Sequence, residues 1–372
     1  MRAAGQSALT AGVISSRSYA PGPRAGAPRT RFTPAALLLA LALATETPSR
    51  RFQPLDVDYD SCEPQAPLRR EARMAEPLRW GLIGTGLIAG TFARDLELTD
   101  SGRVVAVGSR ALDSAERFAD RFGIPNRHGS YAELVADPEV DVVYVATPHP
   151  MHHDDALLAL RAGKPVLVEK PFMMTAAEAE EVVAEARGAN LFLMEAMWTR
   201  FLPHIAEVRR LLAEGVLGEI ISVSADHGQW FERDAEFRLF APALGGGALL
   251  DLGVYTVSFA SMVLGPPDRI LAISEPAFTG VDAQTSMLFS YAGGAQAILN
   301  CTLSAKSPTR AAIVGTDGRI EIDGDDFYSP NSFTLIPRIG EPCLLYTSCR
   351  LPSPRLGARR WRRRQTPRRA CA

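Results

Sequence analysis

The chain has 372 residues, 47% of them hydrophobic and 22% charged, a globular composition with enough length for two cores. Its formal charge of -2 is unevenly spread: residues 1–73 carry ten arginines against six acids, residues 343–372 carry nine arginines and no acid, and residues 74–342 carry 21 basic and 36 acidic residues. A central part this acidic disfavours nucleic acid and anionic membrane as partners. Five cysteines at irregular spacing (62, 301, 343, 349 and 371) give neither a disulfide framework nor a zinc pattern, which fits a reducing, cytoplasmic setting.

The two ends differ from the middle. The first 45 residues hold no acid, and their apolar run, Ala35–Ala44, is too short to cross a bilayer and too far in for a secretory signal. A targeting segment and a leader read as protein are the two accounts. We favour the leader over residues 1–73, with Met74 opening directly into the first strand. Residues 343–372 lose both hydrophobic periods and run into Arg359–Arg364, which reads as a frameshifted or artefactual basic tail rather than a localisation signal.

Between these ends, residues 74–196 alternate apolar runs with amphipathic stretches. Strands are expected at Trp80–Ile83, Val104–Val107, Val142–Val145, Val166–Val168 and Leu191–Leu193. Helices are expected at Thr91–Leu98, Ser114–Phe122, Asp154–Ala162 and Ala176–Ala186. β-Branched strands separated by helices imply a doubly wound parallel sheet, an α/β Rossmann fold. Residues 197–342 change character. A helix at Ile205–Ala213, a strand at Ile220–Ala225 and a helix at Ala248–Val263 precede strands at Ile270–Ile273, Thr285–Tyr291, Ala295–Leu303, Ala311–Val314 and Ile320–Ile322. Turns such as Ala292-Gly293-Gly294 separate them, as in an α+β domain with a largely antiparallel open sheet.

Gly84-Thr85-Gly86-Leu87-Ile88-Ala89 directly follows the first strand and opens a helix, the G-x-G-x-x-A form of the dinucleotide fingerprint. Gly84 allows the tight turn, Gly86 lets backbone approach a pyrophosphate, and the N–H groups around Leu87 and Ile88 face the phosphates. The second strand ends Gly108-Ser109-Arg110, without the acid that would bind an NAD ribose. Ser109 and Arg110 suit a 2′-phosphate, so NADP is the expected cofactor, with NAD kept open by nearby Asp113.

Two further segments lie at strand ends: Thr147-Pro148-His149-Pro150-Met151-His152-His153, and Glu169-Lys170-Pro171 after Val166–Val168. A Glu–Lys ion pair flush against a buried strand is costly unless used. The histidines are adjacent on a helix and point apart, so no metal site is expected. Glu169-Lys170-Pro171, the Thr147-Pro148-His149 step and Gly245-Gly246-Gly247 followed by Asp251-Leu252-Gly253-Val254-Tyr255 resemble the glucose–fructose oxidoreductase/inositol dehydrogenase family over about residues 78–341. Many members have histidine where Tyr255 stands. With Glu195-Ala196-Met197-Trp198-Thr199-Arg200, that departure is similar to the branch of trans-1,2-dihydrobenzene-1,2-diol and NADP-dependent D-xylose dehydrogenases.

The resemblance implies an oxidoreductase on a sugar or vicinal diol. Lys170 would bond the substrate hydroxyl and stabilise developing alkoxide. Tyr255 would exchange the hydroxyl proton, and Asp251, one turn earlier, would orient substrate or lysine. Thr147, His149, His152, Glu169 and Lys170 would line the cofactor, and Trp198, Arg200 and His152 the substrate. Family members often form homodimers through the second sheet. That sheet looks truncated here near Glu341, so an exposed apolar face or edge is expected. A cofactor-binding sensor without turnover is the other reading of the same fold.

Overall fold

The computed structural model describes residues 76–322, 327–330 and 332–346; the expected leader and the tail beyond Tyr346 lie outside the described residues. The first half runs β1 (Leu78–Ile83), α1 (Leu87–Leu96), β2 (Gly102–Gly108), α2 (Leu112–Phe122), β3 (Asn126–His128), α3 (Tyr131–Ala136), β4 (Val142–Val145), α4 (His152–Arg161), β5 (Val166–Val168), α5 (Ala176–Ala189) and β6 (Leu193–Glu195). The sheet order is β3-β2-β1-β4-β5-β6, parallel throughout. Its strands are buried on both faces. Ile83, Val105, Val143, Val145, Val166 and Val168 pack against α4 and α5, while Leu82, Val107 and Tyr144 pack against α1 and α2. That two-sided burial is why the strands read as unbroken apolar runs.

Sequence periodicity misses β3 and α3. Asn126-Arg127-His128 has no apolar alternation, and α3 is too short for a helical stripe. It also places the sixth strand two residues early. The capping box of Thr175 and Glu178 starts α5, which continues until Asn190 takes the left-handed cap (φ 53°) and pushes the strand onward.

The second half adds α6 (Pro203–Ala213), β7 (Ile220–Gly228), a π turn (Leu249–Gly253) leading into α7 (Val254–Leu264), and β8 (Arg269–Pro276), β9 (Asp282–Ser290), β10 (Gln296–Thr302), β11 (Ala311–Gly315), β12 (Gly318–Ile322), β13 (Ser332–Pro337) and β14 (Cys343–Tyr346). These strands form one sheet in the order β14-β13-β12-β11-β7-β10-β9-β8, antiparallel except for β7 beside β10. Pro242–Leu264 is long and apolar enough to cross a bilayer, yet most of it is buried in the fold. There Val254, Val257 and Ala260 join Val223, Phe289 and Leu299 in the second core.

Cys343–Tyr346, the first residues of the expected basic tail, pair with β13 as an edge strand. The exposed apolar face lies at the other end of the sheet from this edge. Ile298 pairs with Leu288, and Leu288 with Leu271, all three on the surface.

Candidate active site

The site collects at the carboxyl ends of β1, β2, β4, β5 and β6, where parallel sheets present ligand-binding loops. After β1, Gly84 has φ +106°, and a Cβ there would lie 2.8 Å from the Ala146 carbonyl oxygen, so the turn requires glycine. Gly86 is the N-cap of α1 with no side-chain cap and open space where a Cβ would be. No acid occupies the first turn of α1, Leu87 is 88% exposed, and Ile88 is also exposed. Ala89, by contrast, is fully buried against the sheet. An uncapped helix start beside an open glycine turn fits a dinucleotide pyrophosphate.

At the tip of β2, the Ser109 N–H donates to the His128 carbonyl (3.1 Å) and Arg110 is exposed. Asp113 turns away from this tip into an ion pair with Arg117 (2.7 Å). After β4, the Thr147 hydroxyl donates to Asp155 (2.7 Å), a carboxyl that burial pushes up to about 6.

The three histidines separate as their positions on a helix require. His149 lies 3.0 Å from the Gly245 carbonyl, and burial, helped by the neighbouring His152, pushes its imidazole down to about 4. His152 is fully buried, with Nδ1 2.9 Å from the Pro171 oxygen and Nε2 2.9 Å from the Thr147 oxygen. It clasps two loops together and presents no surface to a substrate. His153 turns outward to Asp154 and Glu181.

The expected Glu169–Lys170 ion pair takes a different form. The buried Glu169 carboxyl accepts the Tyr144 hydroxyl and the Lys170 backbone N–H, and burial raises its pKa. The Lys170 ammonium instead pairs with Asp251, donating to its carbonyl and to Oδ1 (3.1 Å each), and lies 4.9 Å from the centre of the Tyr255 ring. Burial works against the ammonium, but Asp251 and Tyr255 outweigh it, and the Lys170 pKa lies above the ordinary lysine value. Burial likewise opposes the Asp251 carboxylate; the Lys170 and Arg238 charges overcome it and hold that group well below the usual range.

The π turn places Asp251 and Tyr255 on the side of the helix that meets Lys170. Its entry depends on Gly247 (φ +128°), where a Cβ would clash with an oxygen of Asp282; that half-buried acid accepts the Leu249 N–H (2.7 Å). The Trp198 indole donates to the Tyr255 hydroxyl (3.2 Å), with the two rings edge to face. Arg200 does not reach this group, because its guanidinium is held by the hydroxyl and carbonyl of Ser258 on α7 (2.9 and 3.0 Å).

Sequence reasoning overlooks four groups here. Arg238 lies in the long connection after β7 and bonds both Asp251 oxygens (3.0 and 3.3 Å). Glu195, buried at the end of β6, accepts the Phe172 N–H (2.9 Å), and burial pushes it up to about 7. His227 and Tyr328 stack 4.3 Å apart beside Tyr255. Only Glu195 carries a signal, as an acid inside an apolar strand end; the others come from segments without recognisable motifs.

A parallel sheet with a glycine turn, joined to a largely buried lysine–carboxylate–tyrosine cluster, defines a nucleotide-dependent oxidoreductase. Residues 78–197 match the model of an oxidoreductase family with an NAD-binding Rossmann fold, and residues 205–321 match the GFO/IDH/MocA C-terminal domain. The chain belongs to this family and is a dehydrogenase acting on CH–OH groups with a nicotinamide cofactor. It is 43% identical over 249 residues to the trans-1,2-dihydrobenzene-1,2-diol dehydrogenase of Mus musculus, covering 66% of this chain and 74% of that one. The Oryctolagus cuniculus protein of the same name is 44% identical over 241 residues, covering 64% and 73%. A solved 3-ketoreductase from Actinomadura kijaniata, in complex with NADP and TDP-benzene, aligns with a TM-score of 0.65 at 32% identity, over 73% of this chain and 85% of that chain.

Proposed function

We propose that the protein is an NADP-dependent dehydrogenase of vicinal diols or sugars in which Lys170 and Tyr255 handle the charge and proton of the reacting hydroxyl. The observation that carries this reading is the Lys170 ammonium, held by Asp251 and lying over the Tyr255 ring at the end of β5. NADP, when bound, supplies the acceptor for the substrate hydride. Two Lys170 N–H groups are taken by Asp251, and the third is left for the substrate oxygen. Since its raised pKa keeps Lys170 protonated, it stabilises the alkoxide; Tyr255 as phenolate accepts the hydroxyl proton during oxidation, and as phenol returns it to the alkoxide during carbonyl reduction. Trp198, bonded to that oxygen, fixes its orientation and offers an aromatic edge to a ring substrate.

Ser109 and exposed Arg110, with Asp113 turned away, support a 2′-phosphate and hence NADP. The bound complex of the solved 3-ketoreductase and the names of the diol dehydrogenase relatives support the same cofactor and a diol substrate. The exposed row of Leu271, Leu288 and Ile298 supports a homodimer through the second sheet. NADPH formation, measured with cyclic trans-diols, D-xylose, other pentoses and hexoses, tests the proposal. Oxidation within that panel is expected. Cofactor binding without turnover would favour the sensor.

A further inference from the structure

Asp251 holds more charge than orienting a lysine requires. Its Oδ1 is shared between Lys170 (3.1 Å) and Arg238 (3.0 Å), while Oδ2 has Arg238 as its partner (3.3 Å). Arg238 comes from the connection between β7 and the glycine run, and its side chain is 52% exposed although the carboxylate it binds is buried. A half-exposed arginine spends little desolvation there, and its planar fork covers both oxygens.

An ammonium has three N–H groups, and Asp251 already takes two through its carbonyl and Oδ1. A buried carboxylate oxygen left without a partner is costly. Were Oδ2 vacated, the third Lys170 N–H, the one left for a substrate oxygen, could turn to fill it, since the ammonium already sits on the same carboxylate. Charge points the same way. Lys170 faces two acids, Asp251 and Glu169, and burial has driven the neighbouring His149 imidazole down to about 4, so it adds no cation near neutral pH. Arg238 brings the second positive charge, without which a developing alkoxide would meet an excess of negative charge.

We propose that Arg238 is a positioning residue of the hydride-transfer site: by occupying the second oxygen of Asp251 it stops Lys170 from closing on that carboxylate and keeps one ammonium N–H for the substrate. This inference rests on the Lys170 and Tyr255 reading above.

The test uses the full chain, with steady-state NADPH formation on a diol oxidised by the wild type and a separate titration of NADP binding. Arg238→Ala should lower kcat about 10-fold or more, as loss of one aligned electrostatic partner does, with NADP affinity within about 2-fold of wild type. Because the position is half exposed, added guanidinium should restore part of the lost turnover in Arg238→Ala and leave the wild type unchanged. Should Arg238→Ala not fold, Arg238→Met, which retains most of the stem, takes its place under the same two readings. Wild-type kcat in the variant overturns the inference. So does a loss that guanidinium does not relieve, or one matched by lost NADP affinity, because either marks a structural role. Lys170→Met separates the two levels. If it keeps normal turnover, the underlying mechanism fails; if it is inactive while Arg238→Ala is normal, only the role of Arg238 falls.

Discussion

The cofactor end of the site is built from backbone and from residues a few positions apart, whereas the chemical end gathers side chains from four separate segments between residues 170 and 255. Gly84, Gly86 and the start of α1 need little beyond a glycine turn at a strand end. Lys170, Trp198, Arg238, Asp251 and Tyr255 meet only because two sheets and a π turn bring them together, and their buried charges must balance. The first end tolerates solvent and is specified by conformation. The second is specified by charge and burial, so substitutions at the two ends should fail differently.

Lys170 gives the sharpest separation. Lys170→Met should reduce turnover on the order of 10²-fold or more, comparable to removing one positioned charge donor. NADP binding, which depends on the glycine turn, should persist. Single-turnover kinetics alongside cofactor titration checks both halves, and near-normal turnover would sink the assignment.

Glu195 tests what burial costs at the chemical end. Its carboxyl is raised from 4.5 to about 7 in the folded protein, so between those values the native state keeps a proton that the unfolded chain has released. Stability must therefore fall as pH rises through that window, by up to about 3 kcal/mol for a shift of this size. Asp155, pushed up to about 6 by burial, adds a smaller slope of the same sign. Glu195→Gln retains an acceptor for the Phe172 N–H but cannot ionise. Its melting temperature should decline less between pH 4.5 and 7 than that of the wild type. Parallel pH profiles for the two proteins would show that Glu195 is not the source of the slope.

The same contrast explains what was legible in the sequence. Gly84, Gly86, Ser109 and Arg110 sit at strand ends that apolar runs mark clearly, and Lys170 and Asp251 stand in short local patterns. The side-chain partnerships are another matter. The neighbour of Lys170 in the chain, Glu169, turns to Tyr144, while its ion-pair partner is 81 residues away. His152 looks like a ligand contact but is consumed by the carbonyls of Thr147 and Pro171. Arg200 sits in a motif and is spent on Ser258, whereas Arg238 sits in none and reaches Asp251. Periodicity reports which face of an element is buried, not which distant group shares that burial.

At the cofactor end, Gly84→Ala should act through conformation alone. A side chain at φ +106° is strained, and its Cβ would press on the Ala146 oxygen at 2.8 Å, together costing about 2 kcal/mol. Thermal unfolding and NADP titration should both register the change. Turnover by the fraction that still binds cofactor should stay close to wild type, because no group around Lys170 has moved. A fall in that turnover equal to the one in Lys170→Met would erase the distinction between the two ends.

Arg110 sharpens the comparison within the cofactor end itself, because there a side chain and not the backbone would choose the ligand. Asp113, the next acid along the chain, is paired with Arg117. Arg110→Asp removes a charge-assisted donor and adds repulsion toward a 2′-phosphate, and should raise the KM for NADPH about 10-fold or more. The KM for NADH should hold or fall, since a carboxylate at this place can bond a free 2′-hydroxyl. At saturating cofactor, turnover should be unchanged. Equal effects on both cofactors would assign Arg110 to the general electrostatics of the site, and an unchanged KM for NADPH would end its role in choosing the phosphate.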